Sequence, residues 1–332
     1  MKRGTTDYSL VIGINKPCGM TSHDVVNRVR TIFKERRVGH TGTLDPLAEG
    51  VLPLCIGPAT RLDRYLVGHD KRYLVGVTFG FETNTYDIEG EVSNTSDVPV
   101  ELRDEDYARE RVREIIGPCL QTPPAFSAVK IDGKPAYKRA RAGEEVELQP
   151  REIDVYDAEL LLVEFDESEN LIWYIALEVS KGTYIRSLVH DLGHRLGTCA
   201  CMSSLKRLKV GNLHTDDCVS LEALESMGAK AALDPVVLLG FRFAFMDDRA
   251  NALNNGSSFS SDDVKLYEPL QHLQEFERCT SGSRVCPSDA PPEDGELISI
   301  IANNRLKAVY AYNAIKKCWV PDCVFSIGIA RV

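Results

Sequence analysis

Apolar residues alternate with polar ones along two separate stretches of the chain, and this period of two constrains the fold more than any other feature. One stretch covers residues 72–79 and the other covers residues 171–179. Side chains two residues apart share a face of a β-strand, so each stretch predicts a strand with one buried face. The residues predicted to be buried are Tyr73, Val75, Val77, Phe79, Leu171, Trp173, Ile175, Leu177 and Val179.

Helical patterns occur among such strands without a regular strand–helix repeat. Thr21 and Asp24 have the spacing of a capping box, which predicts a helix that begins near Ser22. A second helix is predicted to begin near Tyr184 and to end at Gly197, because glycine readily adopts the conformation that terminates helices. Strands and helices that do not alternate regularly favour an α+β fold over a doubly wound one.

The length of the chain predicts more than one folded unit. With 332 residues, it exceeds the roughly 250–300 residues at which single cores tend to split. We expect a main domain over residues 1–236 and a small β-rich domain over residues 237–332, in which the polar segment 260–295 is partly disordered. In the main domain, Pro53 predicts that residues 51–57 form an edge strand or an irregular one. Strand-like apolar runs in the small domain cover residues 297–301, 308–312 and 324–329.

Charge is distributed unevenly along the chain. The net charge of −10 argues against a partner bound by bulk charge alone, but the field at one face decides whether RNA binds. Two basic stretches, residues 130–141 and 181–209, fit either solvated faces or RNA contacts. No run reaches the ~18 apolar residues of a membrane span, and no secretory signal is apparent at residues 1–10. We therefore expect a cytoplasmic protein whose ten cysteines are reduced.

Asp45 is the first candidate for a chemical role. It lies in the glycine-rich loop of residues 39–50, between Leu44 and Pro46. A residue before a proline is held in an extended conformation, which limits the directions that its carboxylate can take. The alternative is an ordinary aspartate that initiates an Asp-Pro turn, and the spacing alone favours this alternative.

Arg186 and Tyr73 are the next candidates. Arg186 lies in the first turn of the second predicted helix, where a cation opposes the helix dipole at a cost of about 0.3–1 kcal/mol. A pairing with Asp45 would compensate the cation and keep the carboxylate ionised; the alternative is a guanidinium that extends into water. Tyr73 fits either a tyrosine that stacks on a nucleic-acid base or a core tyrosine.

No metal site is predicted. His190 and His194 share a helix face, but no glutamate flanks them as in the zinc metalloproteases, so we expect them to line a solvated face. The chain has no Walker A motif and no glycine-rich dinucleotide fingerprint, and no cofactor is expected. Four cysteines of the C-terminal part have spacings that match no familiar zinc ribbon, namely Cys279, Cys286, Cys318 and Cys323.

Five segments of the chain together resemble the TruB family, the tRNA pseudouridine-55 synthases. The loop segment GHTGTLDPLAEGVLPLCIGPATRL, which begins at Gly39, is similar to the catalytic motif of that family. The resemblance covers roughly residues 10–235 and implies a catalytic domain with a mixed or antiparallel central sheet, followed by a small PUA-like domain. The other four segments follow the family's order and are INKPCGMTSHDVV (14–26), DKRYLVGVTFGFETNTYDIEG (70–90), TPPAFSAVKIDGKPAYKRARAGEEVEL (122–148) and KGTYIRSLVHDLGHRLG (181–197).

The resemblance also implies roles for individual residues. Asp45 corresponds to the catalytic aspartate of the family and Arg186 to the arginine that pairs with it. Tyr73 corresponds to the tyrosine that stacks on the target base and helps in proton transfer. An RNA-binding thumb is expected at about residues 121–150. The substrate-binding candidates are His40 in the loop, Lys16 beside Pro17, the pocket residue Leu205, and the basic residues Lys130, Lys138, Arg139 and Lys181.

These roles imply that the chain isomerises uridine to pseudouridine at position 55 in the T-arm loop of tRNA. The target base must leave its stack before Asp45 reaches it. The expected partner is tRNA, without a membrane or an obligate protein partner, and without a guide RNA because the guided relatives lack the thumb. Two other classes of function stay open: an RNA-binding protein without catalysis, and an N-glycosidase that releases free uracil.

Overall fold

The computed structural model describes residues 8–127, 129–131, 133–144, 146–270 and 286–331. None of the helices in these ranges is both long and apolar enough to cross a membrane. The strands and helices, in chain order, are β1 (Leu10–Lys16), α1 (Ser22–Phe33), β2 (Val38–His40), β3 (Glu49–Ile56), α2 (Asp63–Leu66), β4 (Lys71–Phe79), β5 (Phe81–Thr83), β6 (Val92–Thr95), α3 (Glu105–Arg113), β7 (Gly117–Gln121), β8 (Lys130–Ile131), β9 (Lys134–Pro135), α4 (Ala136–Arg141), β10 (Arg151–Phe165), β11 (Leu171–Val179), α5 (Ile185–Arg195), β12 (Ala200–Val210), β13 (Leu213–His214), α6 (Leu221–Met227), β14 (Ala232–Leu233), α7 (Pro235–Leu239), β15 (Arg242–Phe245), α8 (Ala250–Asn254), β16 (Phe259–Ser260), β17 (Leu297–Ala302), β18 (Arg305–Asn313) and β19 (Cys318–Ala330).

Residue contacts divide the chain into two compact units. Unit 1 comprises the described residues up to Pro46, residues 50–68 and the described residues from Lys209 onward; unit 2 comprises residues 47–49 and the described residues from His69 to Leu208. The predicted boundary after residue 236 falls inside α7, and the division of the chain into domains 1–236 and 237–332 stays a prediction.

In unit 1, a layer of antiparallel strands packs against helix α1. β1 pairs with β14 on one side and with β3 on the other, and β2 also pairs with β3. Helix α1 begins at Ser22 as predicted, because the Thr21 hydroxyl and the Asp24 carboxylate accept hydrogen bonds from each other's backbone N–H groups. The apolar stripe of α1, including Val25 and Val29, packs on side chains of β1 and β3.

Strand β3 corrects the prediction made from Pro53. Neither an edge strand nor an irregular one, it pairs with β1 along its length and with β2 on its other side. The Pro53 carbonyl accepts a hydrogen bond from Thr41 N at 3.2 Å, and the nitrogen of an antiparallel strand residue faces the same side as its carbonyl. The Pro53 nitrogen therefore points toward Thr41, one residue beyond His40, the last residue of β2. Because β2 has already ended there, the N–H that proline lacks removes no hydrogen bond from the β2–β3 ladder.

The C-terminal part of unit 1 is rich in strands, as predicted. Its sheet has the order β15-β17-β18-β19-β16, with β15 and β17 parallel and the other neighbours antiparallel. Trp319 and Tyr310 are fully buried in its core. Within the segment predicted to be partly disordered, Leu266 and Leu270 are buried, whereas residues 271–285, which include Cys279, lie outside the described residues.

Unit 2 is built on a sheet in which β12, β4, β11, β10 and β7 are neighbours in that order. All nine residues predicted to be buried on the two alternating strands are buried, which confirms both strands. The core includes Trp173, whose ring meets Phe79 edge-on at 4.8 Å between centroids and whose Nε1 donates to the Leu102 carbonyl at 2.9 Å. Antiparallel ladders join β4, β11, β10 and β7, and helices α3 and α5 do not alternate regularly with these strands, which gives the predicted α+β class.

Helix α5 is fixed against β12 by a close approach of backbones. A side-chain carbon at Gly193 would lie 2.7 Å from the Ala200 Cβ, so the helix can lie this close to the strand only with glycine at that position. The helix ends just before Gly197, which has a φ of +75° as predicted for a helix terminator. This packing sets the position of Arg186 in the first turn of α5.

Candidate active site

The backbone on both sides of Asp45 is anchored within unit 1. The Ser22 hydroxyl donates to the Leu44 carbonyl at 3.0 Å and accepts from Leu44 N at 2.8 Å. On the other side of Asp45, the Pro46 carbonyl accepts from Gly19 N at 2.8 Å. Asp45 itself is half-buried. A carboxylate between two anchored neighbours has a defined direction, as a group that must meet a substrate atom requires.

Lys16 supplies a further anchor for the same loop. Its side chain is fully buried, and its ammonium donates to the carbonyls of Pro17 at 2.9 Å, Met20 at 2.6 Å and Pro46 at 3.3 Å. Burial of an ammonium is tolerated when acceptors replace its water shell. In this structure Lys16 positions the loop through the backbone, and a direct contact between Lys16 and the substrate stays a prediction.

Arg186 is buried, with 6% of its surface exposed. Its Nη1 donates to the Thr85 carbonyl and its Nη2 to the Phe126 carbonyl, both at 3.0 Å. These contacts exclude the alternative in which the guanidinium extends into water. The planar guanidinium donates in two directions and thereby connects the first turn of α5 to the segment after β5 and to the segment after β7.

Asp87 supplies an anion to the buried guanidinium within unit 2. Its Oδ2 lies 3.6 Å from Arg186 Nη1, and its Oδ1 accepts from the Thr85 hydroxyl at 2.7 Å and from Glu89 N at 3.1 Å. The sequence predicted that a cation at this helix end needs a compensating anion, and Asp87 meets that need. The pairing of Arg186 with Asp45 stays a prediction.

The segment predicted to be an RNA-binding thumb begins at Gln121, which is hydrogen-bonded to the start of α5. Gln121 is buried; its side-chain Oε1 accepts from Tyr184 N at 2.8 Å and its Nε2 donates to the Tyr184 carbonyl at 3.0 Å. The Ser187 hydroxyl donates to the Thr122 carbonyl at 2.8 Å. The described residues beyond these hydrogen bonds form the short hairpin of β8 and β9 and the helix α4.

The basic residues predicted in this segment have different surroundings. Lys138 on α4 is exposed. Arg139 is half-buried, and its Nε lies 3.8 Å from Glu144 Oε2. The side chain of Lys130 lies outside the described part of the structure. RNA contacts through these three residues stay predictions.

The aromatic and apolar candidates lie at ends or inner faces of strands. Tyr73 is 7% exposed on β4 and lies opposite Leu177 of β11. Leu205 on β12 is also 7% exposed. His40 is the last residue of β2, where its Nδ1 accepts from Gly42 N at 3.4 Å. Stacking of Tyr73 or His40 on a base and the lining of a pocket by Leu205 stay predictions.

The second basic stretch does not form one solvated face. Lys181 is exposed, whereas Arg186 and Arg207 are buried. Burial, and then the positive charges of Arg207 and Lys181, lower the pKa of Lys71 to about 8, although Asp70 opposes the shift. The basic residues of this stretch therefore differ in exposure, and RNA contact through the exposed Lys181 stays a prediction.

Two carboxylates near α5 were missed in the sequence. Asp87 has no helical or strand periodicity to mark it, and only the resemblance of residues 70–90 pointed to its surroundings. Glu82 contacts both His190 and His194; the His194 side chain is 52% exposed, as predicted for a solvated face, whereas the His190 side chain is 21% exposed. The helical spacing of the two histidines could be read from the sequence, but their contact with a glutamate more than a hundred residues away could not.

Comparison with protein families gives two adjacent matches. The model described as "TruB family pseudouridylate synthase (N terminal domain)" matches residues 30–185, and the one described as "tRNA pseudouridylate synthase B C-terminal domain" matches residues 186–238. Together they cover more than half of the chain and confirm the resemblance stated from the sequence motifs.

Curated relatives match over much of their own length. A protein named tRNA pseudouridine synthase B from Pediococcus pentosaceus is 35% identical over 314 residues, which cover 94% of this chain and 97% of that protein. Proteins of the same name from Clostridium kluyveri and Bacillus cereus are 39% and 43% identical, covering 76% and 65% of this chain and 86% and 70% of their own lengths.

Solved structures support the fold. The structure titled "Crystal Structure of a Cbf5-Nop10-Gar1 Complex" aligns with a TM-score of 0.66 at 23% identity, over 98% of this chain and 88% of that chain. The structure titled "Structure of H/ACA RNP bound to a substrate RNA containing 2'-deoxyuridine" aligns with a TM-score of 0.65 at 22% identity, over 96% and 85% of the two chains. At this identity the similarity concerns the fold alone.

Proposed function

The chain belongs to the TruB family of pseudouridylate synthases, and on that premise we propose that it isomerises uridine to pseudouridine at position 55 in the T-arm loop of tRNA. The observation that carries the proposal is the anchored loop of Asp45. Hydrogen bonds fix the backbone of Leu44 and of Pro46, and a half-buried carboxylate lies between them. This arrangement suits the catalytic carboxylate that the family motif implies at residue 45.

The proposed reaction makes no net change in composition. The N1–C1′ bond of uridine breaks, the uracil turns, and a C5–C1′ bond forms; C5 loses its hydrogen as a proton and N1 gains one. An ionised carboxylate can serve as a nucleophile in such a reaction. Neither an external group donor nor a redox partner is required by this balance of atoms.

The uridine must leave its stack before Asp45 can reach it. Extrusion of a base costs a few kcal/mol, and less in a loop than in a duplex. We propose that stacking on Tyr73 and His40 offsets this cost, since base–aromatic stacking contributes about 1–3 kcal/mol per base. The exposed Lys138 and Lys181 would contact the phosphate backbone, which fixes register without reading sequence.

The proposal is tested with purified full-length protein and a tRNA transcript labelled with tritium at C5 of uridine. We expect tritium release without any added guide RNA, and pseudouridine at position 55 by chemical mapping. A transcript with cytidine at position 55 is the matched control and should release no tritium from that site. Free uracil in the products would indicate an N-glycosidase, and tRNA binding without release would indicate an RNA-binding protein; either result contradicts the proposal.

Replacing Arg186 with lysine should lower turnover about 100-fold while changing tRNA affinity only a few-fold. One ammonium cannot reproduce the fork that reaches both the Thr85 and the Phe126 carbonyls. A misplacement of about 1 Å in a catalytic site can reduce the rate by this factor. Single-turnover tritium release and filter binding measure the two quantities separately.

The matched control is Arg113→Lys, which makes the same change at an exposed position of α3. This variant should retain the turnover and tRNA affinity of the unmodified protein. Unchanged turnover in Arg186→Lys would show that the fork is not needed for the reaction.

A further inference from the structure

Three side chains of unit 2 converge on one point outside the loop of Asp45. Glu82 belongs to β5, and His190 and His194 lie one turn apart on α5. Glu82 Oε2 is 2.9 Å from His194 Nε2 and 3.4 Å from His190 Nε2, and the two imidazole nitrogens are 3.1 Å apart. Ligand atoms around a tetrahedral zinc ion, with bonds of about 2.0–2.1 Å, lie about 3.3 Å from one another. The three atoms therefore have the separations of three ligands of one ion.

The surroundings of His190 fix the ring for this role. Its Nδ1 lies 3.2 Å from Asp191 Oδ1, and an ionised carboxylate can only accept, so Nδ1 carries the proton in this contact. The neutral ring then has its lone pair on Nε2, which faces Glu82 and His194. Metal-binding histidines typically donate their second ring N–H to a carboxylate in this way.

When both imidazoles are neutral, the same geometry leaves one proton, on His194 Nε2, among the three atoms that face one another. In the neutral state, His194 Nε2 can donate to Glu82 Oε2 across 2.9 Å, but the lone pair of His190 Nε2 then faces the carboxylate oxygen across 3.4 Å. Two acceptors that face each other repel. A cation in place of the proton would satisfy all three atoms at once.

Tyr86 adds a second, independent indication. Its ring stacks on His190 with 4.0 Å between centroids, and its backbone has a φ of +64°, a conformation that is unfavourable for a bulky residue. Such strain is found where the surrounding structure requires it, often at binding sites.

We propose that Glu82, His190 and His194 bind one divalent transition-metal ion, with Zn²⁺ as the best match. Two imidazoles and one carboxylate are ligands that zinc accepts in tetrahedral sites. The His194 side chain is 52% exposed, so the fourth position of the ion faces solvent and takes water. Asp191 acts as the partner that orients His190.

The ion would join two elements that also meet at Arg186. Glu82 lies three residues before Thr85 and five before Asp87, and both of these residues contact Arg186 at the other end of α5. A bound ion would fix the C-terminal half of α5 to β5, while Arg186 fixes its first turn to the segment that follows β5. The bound ion would therefore cross-link β5 to α5 and hold the two elements in one arrangement.

The proposal is tested by titrating metal-stripped, full-length protein with Zn²⁺ in a calorimeter. We expect binding of one equivalent and a higher melting temperature with Zn²⁺ present. Glu82→Gln, His190→Gln and His194→Gln should each weaken this binding more than 10-fold and remove the rise in melting temperature. Asp191→Asn should weaken it about 10–100-fold, as expected for a residue that orients a ligand. His23→Gln, an exposed histidine on α1, is the matched control and should bind as the unmodified protein does.

Co²⁺ distinguishes this site from the thiols of the chain. Bound to nitrogen and oxygen ligands in tetrahedral geometry, Co²⁺ gives visible d–d bands without thiolate charge-transfer bands. Charge-transfer bands, for example from the exposed Cys18 or Cys286, would overturn the assignment. So would one-equivalent binding that survives all three ligand substitutions, or no binding by the unmodified protein. Melting temperatures of the metal-free variants close to that of the unmodified protein show that the losses do not arise from unfolding.

Discussion

Replacing Asp45 with asparagine is expected to lower pseudouridine formation by about 10⁴-fold or more and to leave tRNA binding within a few-fold of the unmodified protein. The amide has nearly the shape of the carboxylate but carries no charge, so it can neither act as an anionic nucleophile nor accept a proton. Loss of a catalytic carboxylate has an effect of this size in other enzymes. The result follows only if Asp45 acts on the substrate itself.

The loop should keep its shape in this variant. Its anchors are the Ser22 hydroxyl on Leu44 and the donors on the Pro46 carbonyl, and each of them contacts the backbone. The side chain of residue 45 takes no part in these bonds. These backbone anchors should remain in the variant, so a loss of activity with tRNA binding intact is assigned to chemistry.

Single-turnover tritium release and filter binding to the same transcript measure the two effects. Asp97→Asn makes the same change at an exposed position and should retain the activity of the unmodified protein. Turnover of Asp45→Asn within about 10-fold of normal would remove Asp45 from the catalytic role. A loss of binding that equals the loss of turnover would assign it to substrate binding instead.

Local patterns in the sequence were sufficient to predict several elements of this fold. The alternation in β4 and β11 identified a buried face on each strand, and every predicted residue is buried. The capping box of Thr21 and Asp24 located the start of α1, and Gly197 located the end of α5. These features succeed because their cause lies within a few residues of chain: the pleat, the helix cap and the left-handed turn.

Features that depend on distant residues could not be predicted. Pro53 indicated an edge strand because proline cannot donate a hydrogen bond to a neighbouring strand. Whether a hydrogen bond is lost depends on where β2 ends, and the sequence near Pro53 does not reveal that position. Lys16 matched a motif, yet only the structure shows its ammonium among three carbonyls. Asp87 and Glu82 contact α5 from a segment about a hundred residues away. The anion beside Arg186 was foreseen as a physical need, and its identity required tertiary structure.

Replacing Asp234 with alanine should have a large effect on stability. The two oxygens of Asp234 accept from Arg331, with Nε at 3.1 and 3.0 Å and Nη2 at 2.8 Å, and neither side chain is more than 1% exposed. Removal of the carboxylate breaks a buried ion pair from one side, which typically costs about 3–5 kcal/mol. Asp234 also caps α7 by accepting from Val236 N at 2.9 Å, and loss of a cap costs about 1 kcal/mol more.

Urea unfolding of Asp234→Ala should therefore show a free energy of unfolding lower by about 4–6 kcal/mol, the sum of these two costs. The matched control is Glu225→Ala, which breaks an ion pair with Arg28 whose two side chains are 44% and 54% exposed; solvent screens such a pair, so the loss should stay below about 1 kcal/mol. The double variant Asp234→Ala, Arg331→Met should recover part of the loss, because it removes the buried cation together with the carboxylate. Equal destabilisation by the buried and the exposed substitution would show that burial does not determine the strength of the Asp234–Arg331 pair.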